Sequence, residues 1–188
     1  QYLPLLELSV AEDPEDDRNL HYLGREYLYY GRWDDCIRTL TRHLALPSAV
    51  WRDERAASMR YIARAHAQKG ERDEARDWYL RAAAEAPHLR EPWVDLAMLL
   101  YEDQEWDGVL YATACALKIR ERPRTYICEA EAWGSLPHDL RCQAYYHTGR
   151  LPQALEEARL ALAAAPSDHR LAGNAELLDK MAGLAGEL

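Results

Sequence analysis

Apolar and small residues recur along the chain at fixed distances from a glycine. After Gly70 and after Gly149, alanine follows by five and by twelve residues and proline by seventeen, in GERDEARDWYLRAAAEAP and GRLPQALEEARLALAAAP. The phrase recurs with small departures from Gly31, as GRWDDCIRTLTRHLALP, and from Gln104, as QEWDGVLYATACALKIRERP. The starts of successive phrases are 39, 34 and 45 residues apart. Each phrase has the apolar period of a helix, so each predicts an amphipathic helix after a turn.

The segments before these phrases are also amphipathic, so the repeating unit is two helices joined by a turn. A unit of about 34 residues with a turn glycine, small residues at two fixed places and a closing proline resembles the tetratricopeptide repeat (TPR). Counted from Asp17 as position 1, Leu20, Leu23, Gly24 and Tyr27 fall at positions 4, 7, 8 and 11, where that family carries bulky, leucine, small and aromatic residues. Position 8 has to be small because the second helix of the pair crosses there.

The resemblance implies an all-α fold, a right-handed α-solenoid of about four TPR helix pairs with a C-terminal capping helix. We expect a junction or the end of an upstream helix over 1–16, repeats over 17–166, and a cap over 167–188 with Ser167 as its N-cap. The repeats are predicted at about 17–50, 56–89, 90–123 and 135–168, with an insertion near 120–134 before the fourth.

Charge and composition narrow the classes of function. The chain has 188 residues and a net charge of −9, which disfavours a nucleic-acid partner because phosphate binding needs clustered cations. No apolar run approaches the roughly 20 residues of a membrane span and no charged-then-apolar leader opens the chain, so we expect a soluble, cytoplasmic protein. The four cysteines are too far apart for a CxxC motif, and we expect reduced, buried thiols.

A narrower resemblance is carried by four phrases, DDRNLHYLGREYL, ERAASMRYIARA, APHLREPWVDLA and YICEAEAWGSLPHDL. Together they resemble the C-terminal TPR region of bacterial family 2 glycosyltransferases, where a nucleotide-sugar-dependent catalytic domain precedes the repeats. The resemblance implies that this chain is a module of such an enzyme and that residues 1–16 are the junction. We expect the module itself to be non-catalytic and to hold no cofactor, because the sequence has no strand pattern ahead of an acidic metal-binding motif.

The sequence offers little metal-binding chemistry. The acidic run before the first repeat lies between helices, where Asp16 or Asp17 would cap a helix N-terminus. The seven histidines are dispersed, and only His138 with Asp139 and His147 could meet near one helix. The alternative there is an ordinary repeat helix with polar exposed positions, and we predict no metal site.

In TPR proteins the concave groove is lined by positions 2, 5, 9, 12 and 13 of the first helix of each pair. In the first two repeats the lining and its neighbour form a set rich in arginine: Arg18, His21, Arg25, Tyr29, Arg60, Tyr61 and Arg64. Guanidinium groups bind carboxylate or phosphate through two parallel hydrogen bonds, so the set predicts a carboxylate, an acidic peptide or a phosphate as ligand. The alternative is that the arginines only pair with acidic side chains inside the groove. In the third and fourth repeats the lining turns acidic and aromatic: Glu91, Asp95, Tyr101, Glu102, Asp139 and Tyr146.

The insertion is too apolar for a solvated loop. It carries Tyr126 and Trp133, with Glu129 and Glu131 between them. We predict that it folds back over the concave side, with Tyr126 or Trp133 against the first helix of the third or fourth repeat and the glutamates facing the groove. Two interpretations stay open: a plug that covers apolar helix surface, and a lip that contacts a ligand.

These observations favour a non-catalytic TPR scaffold that binds a peptide or an acidic ligand in its groove. Its expected partner is a protein or peptide, or the catalytic domain of its own chain. The alternative function is the acceptor-binding part of a glycosyltransferase active-site cleft.

Overall fold

The computed structural model describes residues 2–185. Over this range the chain forms ten α-helices, one short 3-10 helix and no strand. The α-helices are α1 (Leu3–Glu12), α2 (Asp17–Tyr29), α3 (Trp33–Ala45), α4 (Arg52–Gln68), α5 (Arg72–Glu85), α6 (Glu91–Glu102), α7 (Trp106–Lys118), α8 (Leu136–His147), α9 (Leu151–Ala164) and α10 (His169–Ala185), and the 3-10 helix is Ala130–Trp133. Residue 1 of the predicted junction and residues 186–188 of the predicted cap lie outside the described residues. Across 2–185, no helix combines the length and the apolar character that crossing a membrane requires.

The helices from α2 to α9 form four pairs: α2 with α3, α4 with α5, α6 with α7, and α8 with α9. We call the first member of each pair helix A and the second helix B. The second helix A, α4, begins at Arg52, whereas the repeat pattern of the sequence predicts the start of that repeat at residue 56. Its 17 residues make it longer than the other three A helices.

The turn between helix A and helix B needs a residue in the left-handed backbone region. Gly31, Gly70 and Gly149 supply it, with φ of +71°, +79° and +74°. In the third pair Gln104 takes the same conformation, with φ of +59°. The turn therefore keeps its geometry where the glycine is lost, at a backbone cost of roughly 1 kcal/mol for a residue with a Cβ.

Aspartates cap two helix N-termini. Asp16, one of the two expected caps, accepts a hydrogen bond from the backbone N of Asn19 at 2.9 Å and so caps α2. At α10 the cap is Asp168 and not Ser167, because the helix begins one residue later than expected. Asp168 Oδ1 accepts hydrogen bonds from the backbone N of Arg170 at 2.9 Å and of Leu171 at 3.2 Å.

The chain divides into two compact units, of which unit 1 covers residues 1–87 and holds α1 to α5. Its interior includes Leu20, Cys36, Leu40, Ile62 and Ala63, all almost completely buried. α1 packs on α2, where the hydroxyl of Tyr27 donates to Glu7 at 2.9 Å. Leu40 of α3 packs against Gly24 of α2, so a large side chain meets a small residue, as close helix pairing requires.

Unit 2 covers residues 88–188 and holds α6 to α10 with the insertion. One core cluster joins α8, α9 and α10 through Cys142, Ala154, Ala158 and Leu178. α10 therefore covers the apolar side of the last pair, as a capping helix does.

The insertion is packed on unit 2 at its C-terminal end. Trp133 packs against a cluster that includes Val94 of α6 and Ala116 of α7, and Ile127 is buried. Trp133 thus lies against the helix A of the third repeat. Tyr126 is more exposed, at 51%, and the chain near it makes a turn at the surface.

A buried carboxylate fastens the insertion to α6. Glu91 is fully buried, and its Oε1 accepts hydrogen bonds from Trp133 Nε1 at 2.8 Å and from the backbone N of Glu129 at 3.0 Å. The guanidinium of Arg90 lies over the Trp133 ring, 4.4 Å from its centroid. The expectation that Glu91 lines an open groove is therefore corrected: this side chain holds the insertion in place.

Candidate functional site

In unit 1, arginines gather around two tyrosine rings on α2 and α4. The guanidinium carbons of Arg18 and Arg25 lie 5.7 Å and 5.0 Å from the centroid of Tyr22, and that of Arg64 lies 5.8 Å from the centroid of Tyr61. Arg18 is exposed, and Arg25 and Arg64 are half-buried. Such cation–π contacts hold guanidinium groups in place at a surface.

Several residues expected on this groove lie inside unit 1 instead. His21 and Arg60 are fully buried and Tyr61 is nearly so, because α2 packs against α4 through these positions. Arg60 is thus no open anion site, in contrast to the expectation. Tyr29 is exposed, and Arg25 lies 3.5 Å from Glu26, as the ion-pair alternative expects for that arginine.

The buried positions of unit 1 assemble a cluster that the sequence did not predict. Nδ1 of His21 and Nδ1 of His43 lie 2.8 Å and 3.0 Å from Ser58 Oγ, and His43 Nε2 lies 3.6 Å from Glu54 Oε1. These residues come from α2, α3 and α4. The sequence carries one indication of this cluster, because His43 stands twelve residues after Gly31, where the other phrases carry alanine.

In unit 2, α8 and α10 present a polar face with an ion pair at one end. Arg170 donates to Asp139 Oδ2 at 2.8 Å, and this hydrogen bond, together with the negative charges of Asp139 and Asp168, raises the pKa of Arg170. Asp139 Oδ1 is buried and makes no hydrogen bond with the described residues. Asp95, also expected on this face, is buried in α6.

Next to this ion pair, a cavity of about 130 Å³ opens between α8 and α10. Its wall consists of Cys142, Gln143 and Tyr146 from α8 and of Asn174, Leu177 and Leu178 from α10. Tyr146 and Leu177 are exposed at its rim, whereas Cys142 and Leu178 form its buried floor. The face thus combines an apolar recess with two side-chain amides.

A row of aromatic rings fixes the end of this face. Trp106 stacks on His147, with centroids 4.2 Å apart and planes 8° apart. Tyr101 meets Trp106 edge-on at 5.6 Å, and Tyr146 meets His147 edge-on at 5.4 Å. Tyr101 and Tyr146, which were expected on the groove of the third and fourth repeats, are therefore held by ring contacts at exposed positions.

The grouping of His138, Asp139 and His147 that was considered as a metal site is not assembled in unit 2. His138 Nδ1 lies 2.7 Å from Glu157 Oε2, Asp139 binds Arg170, and His147 stacks on Trp106. Of the insertion residues, Glu131 and Tyr126 are exposed, Glu129 is half-buried, and Trp133 is packed.

Interpreting α10 only as a cap leaves out Arg170 and Asn174, whereas Gln143 of α8 stands at position 9 of the fourth repeat, a groove position that the sequence analysis does not name. Asp139 and Gln143 on α8 have the same four-residue spacing as Arg170 and Asn174 on α10. Treating α10 as a further helix A would have predicted Arg170 and Asn174 on this face.

Solved structures show which fold these helix pairs have. MamA has a TM-score of 0.68 at 19% identity, over 86% of this chain and 85% of that chain. YrrB, described as a TPR protein with an unusual peptide-binding site, has a TM-score of 0.66 at 13% identity, over 95% of this chain and 84% of that chain. TTC0263, a TPR protein of Thermus thermophilus, has a TM-score of 0.62 at 18% identity, over 94% of this chain and 88% of that chain. The fold is that of tetratricopeptide repeat proteins.

This similarity confirms the predicted all-α TPR fold class. At identities of 13–19% it shows the fold alone. No model of a known protein family matches the chain, and no curated protein sequence does. Function has to be argued from the faces described above.

Proposed function

We propose that this chain is a non-catalytic interaction module whose TPR fold binds an extended peptide on the face of α8 and α10. The observation that carries the proposal is the cavity between these helices, with Gln143 and Asn174 in its wall. The side-chain amides of Gln143 and Asn174 each have an NH₂ group that donates and an oxygen that accepts, so each can pair with the C=O and N–H of a peptide backbone.

The size of the cavity suits one apolar side chain. An apolar cavity of roughly 150 Å³ in another protein takes up a benzene molecule, so about 130 Å³ can hold a residue such as leucine or valine. Tyr146 and Leu177 at the rim would cover the flanking residues of the peptide. A peptide fixed by its backbone and one anchor side chain is a frequent arrangement in grooves of this kind.

We expect alanine substitutions in this face to weaken peptide binding. Dodecapeptides would be selected from a random phage-displayed library on the wild-type chain, and the best would be labelled and titrated by fluorescence anisotropy. Asn174→Ala and Tyr146→Ala should each weaken binding roughly 5- to 30-fold, the effect of losing 1–2 kcal/mol. Tyr111→Ala is the control, because Tyr111 is an exposed tyrosine of α7 in the same unit and outside the cavity wall. Equal affinities for all four proteins would contradict the proposal.

For unit 1, the face of Arg18, Arg25 and Arg64 supports an acidic group as ligand, such as a carboxylate side chain of a partner. The supporting observation is that tyrosine rings hold these guanidinium groups at the surface. Charge-assisted hydrogen bonds from arginine are the stronger ones, and Arg matches carboxylate geometry. Arg60 has no part in this interaction, because it is buried.

We further propose that the chain is the C-terminal part of a bacterial family 2 glycosyltransferase and works in the cytoplasm. The support is the resemblance of the four phrases quoted above. The partner is then a protein or peptide, or the catalytic domain of the same chain, and the alternative is that the repeats bind the sugar acceptor. For the insertion, the contacts of Trp133 and Glu129 with Glu91 support the plug interpretation.

Deletion separates the scaffold from the acceptor-binding alternative. A full-length parent enzyme without residues 17–188 should keep hydrolysis of its nucleotide-sugar donor in both cases. A scaffold role predicts that transfer to the acceptor also continues in the purified enzyme, whereas an acceptor-binding role predicts its loss. The measurement is the ratio of transfer to hydrolysis, which cancels differences in enzyme concentration.

A further inference from the structure

Two histidines and a glutamate meet in the interior of unit 1. His21 of α2 and His43 of α3 are fully buried, and Glu54 of α4 is buried beside them. One ligand atom from each of the three can be chosen so that all lie within 4.8 Å of one another. Within residues 2–185, no other group of three or more such side chains is as compact.

Ser58 orients both imidazole rings from the same side. Its Oγ lies 2.8 Å from Nδ1 of His21 and 3.0 Å from Nδ1 of His43. A hydroxyl oxygen has two lone pairs, so it can accept hydrogen bonds from both Nδ1–H groups. Both Nε2 atoms then carry free lone pairs, and that of His43 lies 3.6 Å from Glu54 Oε1.

The protein leaves both Nε2 atoms without a hydrogen-bond partner among the described residues, although both are buried. The other tautomers do not remove this deficit. If Ser58 donates to the Nδ1 of one ring, the Nε2 of that ring carries the proton and needs an acceptor. For His43, the distance of 3.6 Å from Nε2 to Glu54 Oε1 is too long for a hydrogen bond. Buried polar atoms of this kind call for an explanation, and a bound ion is one.

We propose that His21 Nε2, His43 Nε2 and the carboxylate of Glu54 bind one transition-metal ion, with Zn²⁺ as the physiological ion. Two imidazoles and one glutamate are a zinc ligand set found in proteins. A carboxylate that binds through both oxygens would raise the number of donor atoms to four. Ser58 is the positioning residue, since a hydrogen-bond acceptor on the second ring nitrogen fixes the ring and its tautomer.

The spacing of the two imidazole rings also fits a metal ligand role. The ring centroids of His21 and His43 lie 5.6 Å apart. Zn–N bonds of about 2.0–2.1 Å at a tetrahedral angle put two ring centres about 5 Å apart. The ion would join α2, α3 and α4 and so act as a structural site.

The test is titration of the untagged, EDTA-treated and dialysed chain with ZnCl₂ by calorimetry. We expect one equivalent bound and a higher melting temperature with stoichiometric zinc, because an ion that binds only the folded state stabilises it. CoCl₂ should give the visible absorption of tetrahedral Co²⁺. His43→Gln and Glu54→Gln should each lower the affinity at least about 100-fold, and Ser58→Ala about 10- to 100-fold, the range for residues that orient metal ligands.

His66→Gln is the matched control. His66 Nδ1 also contacts a glutamate, Glu71 Oε2 at 2.6 Å, in the same unit, but that pair has no third ligand among the described residues. It should bind zinc like the wild type. The proposal is overturned if the wild type shows no binding or melting shift at 100 μM ZnCl₂ (about tenfold above a 10 μM Kd), or if folded Glu54→Gln, checked by circular dichroism, binds as tightly as the wild type. Equal loss in His66→Gln would also overturn it.

Discussion

Replacing Gly24 with alanine is expected to lower the free energy of unfolding by about 1–3 kcal/mol, the usual cost of overpacking a core. Gly24 lies on α2 where α3 crosses, and a Cβ there would overlap Cγ and Cδ2 of Leu40. Leu40 is fully buried, so it has little room to move. The steric cost outweighs the gain of roughly 0.5–1 kcal/mol that alanine brings to a helix in place of glycine. Urea melts of the purified chain measure the difference.

Gly173→Ala is the control for this prediction. Gly173 is an exposed glycine inside α10, and a Cβ there meets no atom within 4 Å. The same substitution should therefore stabilise unit 2 by about 0.5–1 kcal/mol through helix propensity alone. A stabilising effect of both substitutions would mean that α2 and α3 do not cross at Gly24.

The fold followed from the sequence because each local signal agreed with the same helix pairs. The glycine turns, the small residue at Gly24 and the alanines after Gly70 and Gly149 all reflect close helix crossings, which leave little freedom in residue size. The start of α4 and the cap of α10 were misplaced by one to four residues. The physical reason is that several polar residues near a helix end can serve as its cap, and only the structure shows which one binds the backbone.

The faces were less predictable than the fold. The position of a residue in a repeat predicts the side of helix A on which it lies. It does not predict whether a neighbouring helix such as α4 packs over that side. His21 and Arg60 are polar and were expected at the surface, yet the packing of α2 on α4 buries them. The cluster around Ser58 depends on three helices meeting, so no spacing along one helix could reveal it. Only the replacement of a small residue by His43 hinted at it.

Replacing Glu91 with alanine is expected to detach the insertion and destabilise unit 2. The change removes the oxygen that accepts hydrogen bonds from Trp133 Nε1 and from the backbone N of Glu129. Each of the two partly buried donors left unpaired costs about 1–3 kcal/mol, so a loss of about 2–6 kcal/mol is expected in urea melts. Trypsin should also cleave faster after Arg120 and Arg124, which are exposed beside the anchored part of the insertion.

The variant Glu91→Gln tests whether the hydrogen-bond acceptor or the negative charge of Glu91 holds the insertion. Glutamine keeps an oxygen in the place of Oε1, so both hydrogen bonds can form, and we expect stability within about 1 kcal/mol of the wild type and slow trypsin cleavage. Trp133→Phe removes one donor and keeps the ring in the cluster with Val94, so an intermediate loss is expected. If Glu91→Gln loses as much stability as Glu91→Ala, the charge of Glu91 holds the insertion and the hydrogen bonds do not. If the insertion instead covers α6 only by the packing of Trp133, Glu91→Ala should leave trypsin cleavage after Arg124 unchanged.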